Sequence, residues 1–232
     1  MSVVMRSDMK VELIDFMGGD DRIQQAARVS TRGSESFEEP ASAGFVDFLV
    51  RGRHSVPLEH SVFTFRIECP IDVSREIVKH RISSISEISA RYTILPNNFY
   101  TPGPDRPLEQ VGKTGDYKFI AGSDGLRDLV NHEFLASSIR QWESYNRMLE
   151  AGAAKEVARK ILPVNIYTSM FMTMNARSLT NFISLRVRDE TSAVPSFAMS
   201  EIDEVGRGVE EIFAEKMPLA YAAFVKNGRR AL

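Results

Sequence analysis

Apolar and polar residues alternate most cleanly just after the first quarter of the chain. Phe63, Phe65, Ile67 and Cys69 fall on one side, Thr64, Arg66 and Glu68 on the other, and Pro70 ends the run. A period of two sends successive side chains to opposite faces, so this stretch predicts a strand. Residues 9–16, mostly alternating and β-branched, predict an earlier one. Helical spacing governs residues 20–30, with Asp20 or Asp21 as N-cap, and 42–52, with Phe45, Phe48 and Leu49 on one face and Gly52 as the stop. Asp72 caps a predicted helix to about Arg81, followed by a serine-rich stretch leading to Tyr92. A long helix over 126–150 turns Leu129, Phe134, Ile139, Trp142, Tyr145 and Leu149 toward a core and stops at Gly152. A short helix over 153–162 precedes Pro163, and helices at 176–188 and 199–216 precede Pro218 and a last helical segment.

Two stretches resist assignment. The run from Ile166 to Met174 fits a buried strand or a helix and is read as a helix or a strand end. Residues 96–125, rich in proline, glycine and asparagine, form an excursion without assigned structure. Strands early and helices late imply an α+β (α/β layered) fold, a mostly antiparallel sheet flanked by helices. No internal repeat or linker-like break interrupts the 232 residues, so a single domain, 1–232, is expected.

Composition narrows the function classes. With 43% hydrophobic and 26% charged residues the chain is neither disordered nor of low complexity. A net charge of −2 argues against nucleic acid as a partner, so any anion site must be a local cluster. One cysteine, Cys69, excludes a disulfide framework and multi-cysteine metal sites, and its place on a strand's apolar face favours packing over nucleophilic chemistry. No apolar run is long enough to span a membrane and no signal-peptide pattern opens the chain, so a cytoplasmic protein is expected.

The densest polar group spans residues 75–92. Arg75, Lys79, His80, Arg81 and Arg91 stand there among four serines and two glutamates. On a helix Arg75 and Lys79 would share one face and Glu76 and His80 the next. Guanidinium forks, an ammonium and hydroxyls suit a phosphate, while a solvated basic face with a serine loop would read the same way. Arg159 is open to an anion, to helix-end carbonyls, or to Glu156 or Glu190, and Arg186 and Arg188 end a predicted helix. His54, Glu59 and His60 lack tight metal-ligand spacing, so no metal is expected, and the absence of Gly-x-Gly-x-x-Gly or Walker loops weighs against ordinary nucleotide folds.

Lys79-His80-Arg81-x7-Ser89 closely resembles the Arg-His-Arg-x7-Ser signature of flavin-dependent thymidylate synthases. Ala26-Ala-Arg-Val-Ser30, His54-x-x-Pro-Leu-Glu-His60, Glu87-x-Ser-x-Arg-Tyr92, Glu156-Val-Ala-Arg-x-x-Leu-Pro163 and Asn175-Ala-Arg-Ser-Leu-x-Asn-Phe182 resemble that family too, in its order, over about residues 9–226. The resemblance implies reductive methylation of dUMP to dTMP, with 5,10-methylenetetrahydrofolate as carbon donor, FAD as hydride carrier, NADPH as reductant and no cysteine nucleophile. It also implies a homotetramer with shared active sites. Carried over by position, Ser30, His54, Val56, Lys79, His80, Arg81, Glu87, Asn175, Arg177 and Asn181 would contact FAD. Glu76, Lys79, Glu87, Ser89, Ala90, Arg91, Arg159 and Arg186 would surround dUMP, with Arg186 against the uracil as the catalytic residue. Lys79 replaces the signature's first arginine, Glu76 a usual glutamine and Ser86 a usual asparagine. Val56 replaces a small hydroxyl residue, so only its backbone could make the contact. About seven extra residues stand around Asp189–Pro195, after Arg186.

Overall fold

A computed structural model of the chain describes residues 2–38, 40–113 and 116–232. In chain order the elements begin with strands β1 (Val4–Arg6) and β2 (Lys10–Met17), helices α1 (Asp20–Arg32) and α2 (Ala43–Arg51), and strand β3 (Val62–Pro70). Helix α3 (Ile71–Ile77), strands β4 (Ser84–Glu87), β5 (Asn98–Tyr100), β6 (Glu109–Lys113) and β7 (Asp116–Ile120), and the long helix α4 (Asp124–Glu150) follow. The chain continues through α5 (Lys155–Ala158), β8 (Tyr167–Asn175), α6 (Ala176–Arg186), α7 (Ser200–Lys216) and α8 (Pro218–Lys226). The mixture is the expected α+β class. Two compact units share these elements: Met1–Asp8, Cys69–Ser74 and Glu87–Ser169 form one, and Met9–Glu68, Arg75–Ser86 and Met170–Leu232 the other.

The second unit is built on a four-stranded sheet of order β2-β3-β8-β4. β2 pairs antiparallel with β3 from Lys10↔Glu68 to Met17↔Val62, with a register shift between Leu13 and Asp15. Phe63, Phe65 and Ile67 on β3 are fully buried, so the alternation read in the sequence is the core-facing pattern. The run at 166–174 is a strand rather than a helix. Met170, Met172 and Met174 are buried while Phe171 is 47% exposed, and Thr64 and Thr173 share a hydroxyl hydrogen bond of 2.9 Å on the other face. α7 packs on β2 closely enough that a Cβ on Gly208 would lie 3.0 Å from the Cβ of Val11.

Three helix expectations are corrected. α2 buries Val46, Leu49 and Val50 and packs on α8, leaving Phe48 47% exposed, because the i, i+3, i+4 aliphatic stripe wins over the aromatics. α3 stops at Ile77 instead of Arg81: the His80 N–H donates to the Ile77 carbonyl (3.0 Å), and the serine-rich stretch then enters the sheet as β4. Arg75 and Lys79 therefore share no helical face. α1 starts from Gly19, not from an aspartate cap. Asp20 instead accepts from the Leu219 and Ala220 amides (2.8 and 2.9 Å), capping the first turn of α8.

In the first unit the supposed excursion holds three strands. β5 pairs in parallel with β1, from Val4↔Asn98 to Arg6↔Tyr100, and β6 pairs antiparallel with β7. Thr114 and Gly115 lie outside the described residues. β5 is anchored by Phe99, which is buried with Trp142, Tyr145 and Ile166 and meets the Trp142 ring edge-on at 5.9 Å. α4 is capped by the Ser123 hydroxyl, and its core contribution sits in its second half: Trp142 and Tyr145 are buried, whereas Leu129 is 56% exposed.

Asp20→Ala should destabilise the protein by about 1–2 kcal/mol, because two α8 amides lose their acceptor. Asp20→Asn, which keeps one carbonyl acceptor, should fall between; thermal melting of the three proteins checks this.

Candidate active site

α6 begins where the Asn175 side chain accepts from the Ser178 amide at 2.9 Å. Ala176, Leu179, Phe182 and Ile183 bury its inner face, so its length fixes where the last residue, Arg186, emerges. A cation there also complements the negative end of the helix dipole. The Arg186 guanidinium is held on three sides. Nε donates to His80 Nε2 (3.0 Å), Nη1 to Glu76 Oε2 (2.6 Å) and Nη2 to the Glu76 carbonyl (3.1 Å). Three of its five N–H donors are so occupied, leaving one on each terminal nitrogen for a ligand.

His80 accepts through Nε2, so its proton resides on Nδ1 and the ring is neutral. Burial first and the Arg186 charge second push its pKa down to about 4, against the opposing pull of Glu76. The ring also rests edge-on against Phe182 at 4.7 Å. Glu76, His80 and Arg186 are thus brought together from α3, the turn after it and the end of α6. The sequence placed all three near the ligands but did not show that they bind one another. Phe182 carried a visible signal, closing the Asn175–Phe182 block, yet its role beside His80 was not legible.

The remaining site residues of this unit lie around the same elements. Ser30 on α1 and Asn181 on α6 are exposed, and α1 and α6 both pack on the 3-10 turn Val56–His60. Val56 itself is 62% exposed, and the His54 ring stacks on Phe48 with centroids 5.6 Å apart. Arg177 pairs with Glu59 (2.6 Å) and reaches the Leu232 carbonyl (3.2 Å). Glu59 is therefore an arginine partner, and among the described residues no group of His, Cys, Asp and Glu could hold a metal ion. Lys79 and Arg81 are exposed in the turn beyond α3. Two exposed cations, an imidazole, a hydroxyl and an amide form a donor set that fits an anionic pyrophosphate cofactor.

The other unit carries Glu87, Ser89, Ala90, Arg91 and Arg159. The Ser89 carbonyl accepts from the Tyr92 and Thr93 amides (3.0 and 3.1 Å) in a tight turn, and Ala90 is buried beneath it. Lys155 of α5 holds the turn through the Tyr92 carbonyl (3.0 Å). Glu156 pairs with Arg91 (3.3 Å), with both side chains more than half exposed, so the pair is weak and open to exchange for a phosphate. Glu87 accepts from the Thr168 hydroxyl (2.6 Å), and Arg159 is half-buried on the 3-10 turn Arg159–Ile161. Cys69 is fully buried, and its thiol pKa is pushed up by burial first and by the Glu87 and Asp72 charges second. Both effects disfavour the thiolate that a nucleophilic cysteine needs.

The fold is α+β, and Arg186 carries a guanidinium oriented by Glu76 and His80. The family described as thymidylate synthase complementing protein matches residues 12–219. A flavin-dependent thymidylate synthase of Streptomyces avermitilis is 44% identical over 97% of this chain and 94% of that relative. One from Tropheryma whipplei is 42% identical over 100% of this chain and 98% of its own length. The crystal structure of the UMP/dUMP methylase PolB from Streptomyces cacaoi, bound with 5-Br UMP, superposes with a TM-score of 0.92 at 37% identity over 99% of both chains. The chain belongs to the flavin-dependent thymidylate synthase family.

Because His80 is neutral in the fold while an unfolded histidine titrates near pH ~6.5, the unfolded state takes up the extra proton as pH falls. Stability present above pH ~6.5 should therefore decline toward about pH 4, by roughly 1 kcal/mol between about pH 7 and about pH 5 after solvent screening. Denaturant midpoints at those two pH values should differ less in His80→Gln than in the native sequence.

Proposed function

We propose that the chain catalyses the reductive methylation of dUMP to dTMP, taking the methylene from 5,10-methylenetetrahydrofolate and reducing power from NADPH through FAD. The observation that carries this reading is Arg186, oriented by Glu76 and His80 with two donors still unused. Membership of a family whose relatives bear the name flavin-dependent thymidylate synthase supports it, as does the likeness to a methylase bound with 5-Br dUMP. The family match runs from residue 12 to 219, across stretches of both units, which supports one functional domain.

Bound FAD supplies the hydride. Lys79, Arg81 and Arg177 neutralise its phosphates, and Ser30, His54, His80, Glu87, Asn175, Asn181 and the Val56 backbone contact the rest of it. Lys79, Glu87, Ser89, Ala90, Arg91 and Arg159 hold dUMP, with Arg91 releasing Glu156 for the phosphate. Arg186 faces the uracil, where a fixed cation favours the N3-ionised ring and raises the electron density that attacks the folate methylene. Glu76 touches the nucleotide and locks Arg186 from behind. The working assembly is a homotetramer with shared active sites, in the cytoplasm. Among the described residues no helix is long and apolar enough to cross a membrane.

Arg186→Ala should keep its visible flavin absorbance and its oligomeric state. Its dUMP-dependent flavin oxidation should fall by about 30-fold to several-thousand-fold, since losing one partner of a desolvated charge-assisted contact costs ~2–5 kcal/mol. Arg75→Ala, an exposed cation on α3, is the comparison, and equal turnover in both variants would dismiss the reading.

Cys69→Ser should lower the melting temperature, because it buries a hydroxyl in an apolar layer, yet leave methylation largely intact. A folded, FAD-bound Cys69→Ser protein with no turnover would restore the cysteine mechanism.

A further inference from the structure

We propose that Asp203 and Gly206 of α7 are positioning residues for Arg186, together clamping the backbone immediately after it. The inference rests on the reading that Arg186 faces the uracil. α6 ends at Arg186, and the next residue, Val187, is buried. Asp203 is only 6% exposed, and its carboxylate spans the chain at that point. Oδ1 accepts from the Arg188 amide at 2.6 Å and Oδ2 from Arg207 Nε at 3.0 Å. Arg207 Nη2 in turn donates to the Arg188 carbonyl at 2.7 Å. One buried carboxylate therefore fixes both polar backbone groups of residue 188, one directly and one through Arg207.

Gly206 closes the clamp from the side. A Cβ there would lie 2.8 Å from Val187 Cγ2 and 3.1 Å from the Arg186 carbonyl oxygen, so α7 meets this backbone at a distance only glycine permits. The Arg186 guanidinium lies at the far end of a long side chain, so a small rotation at its Cα becomes a large displacement at the uracil. The segment Asp189–Pro195 starts directly beyond the clamp and is tied to the C-terminal segment where the Ala193 amide donates to the Gly228 carbonyl at 2.9 Å. Arg186 is thereby insulated from motion in that segment.

The test uses the FAD-loaded enzyme and titrates dUMP. Asp203→Asn and Gly206→Ala should each weaken dUMP binding by about tenfold or more, the scale of an ångström-level misplacement, while FAD content and oligomeric state stay native. Adding Val187→Ala to Gly206→Ala removes the 2.8 Å contact and should restore most of the affinity. Glu210→Gln, which disturbs a buried carboxylate bound to Arg229 and Tyr221 farther along α7, should lower melting temperature without moving dUMP affinity. A merely structural role predicts that all these variants behave like Glu210→Gln. The proposal is overturned if Asp203→Asn and Gly206→Ala bind dUMP within about twofold of the native enzyme while Arg186→Ala does not. If Arg186→Ala also binds dUMP normally, the functional reading falls and the proposal with it. Should Asp203→Asn fail to fold, the comparison of Gly206→Ala with its Val187→Ala partner decides.

Discussion

A guanidinium that is to be held in one plane and still bind a ligand needs acceptors that do not use up all its donors. Arg186 meets that constraint with a neutral imidazole on Nε, a carboxylate on Nη1 and a backbone carbonyl on Nη2. The imidazole is the critical choice. A protonated His80 would present a donor and a second positive charge, and the Nε contact would turn from attraction to repulsion. Burial against Phe182 keeps the ring neutral, so the apolar packing of α6 reaches directly into the electrostatics of the site.

α3 ends at Ile77, and the turn closed onto its carbonyl carries His80, whose Nε2 takes Arg186 Nε while Glu76 in the last turn of the helix takes Nη1 and Nη2. The glutamate at position 76, where the family resemblance expects glutamine, keeps an acceptor oxygen for Nη1 and adds a charge that offsets the arginine's.

Much of the fold was legible because its signals are local. The 63–69 alternation with its closing Pro70, and Gly52 after α2, act within a few residues of where they are read. What was not legible depends on partners distant in sequence. β4 is a strand because β8 pairs with it, and β5 because β1 does, against their polar or proline-flanked composition. The 166–174 run hid a period-two pattern in its methionines, which suit either secondary structure. Asp20 reads as a cap of its own helix but serves one 199 residues away. In the site, the residue types were visible in their motif blocks, but the contact joining 76, 80 and 186 spans more than a hundred residues and no spacing rule reports it.

A chain with a net charge of −2 keeps its cations from repelling one another by pairing them with carboxylates. The acidic partners sort by exposure. Glu156 on Arg91 and Glu59 on Arg177 form solvent-screened pairs, each worth under ~1 kcal/mol, which a ligand phosphate can displace with little loss. Asp203 and Glu210 are more than nine-tenths buried, and their arginines cannot be released without leaving a carboxylate unpaired in the interior. Glu76 stands between these classes, its side chain 43% exposed while Arg186 is at 17%. That intermediate position lets it aim the guanidinium while staying partly open to solvent. Exposure, rather than the number of ion pairs, separates the carboxylates that hold the scaffold from those that a competing anion could displace.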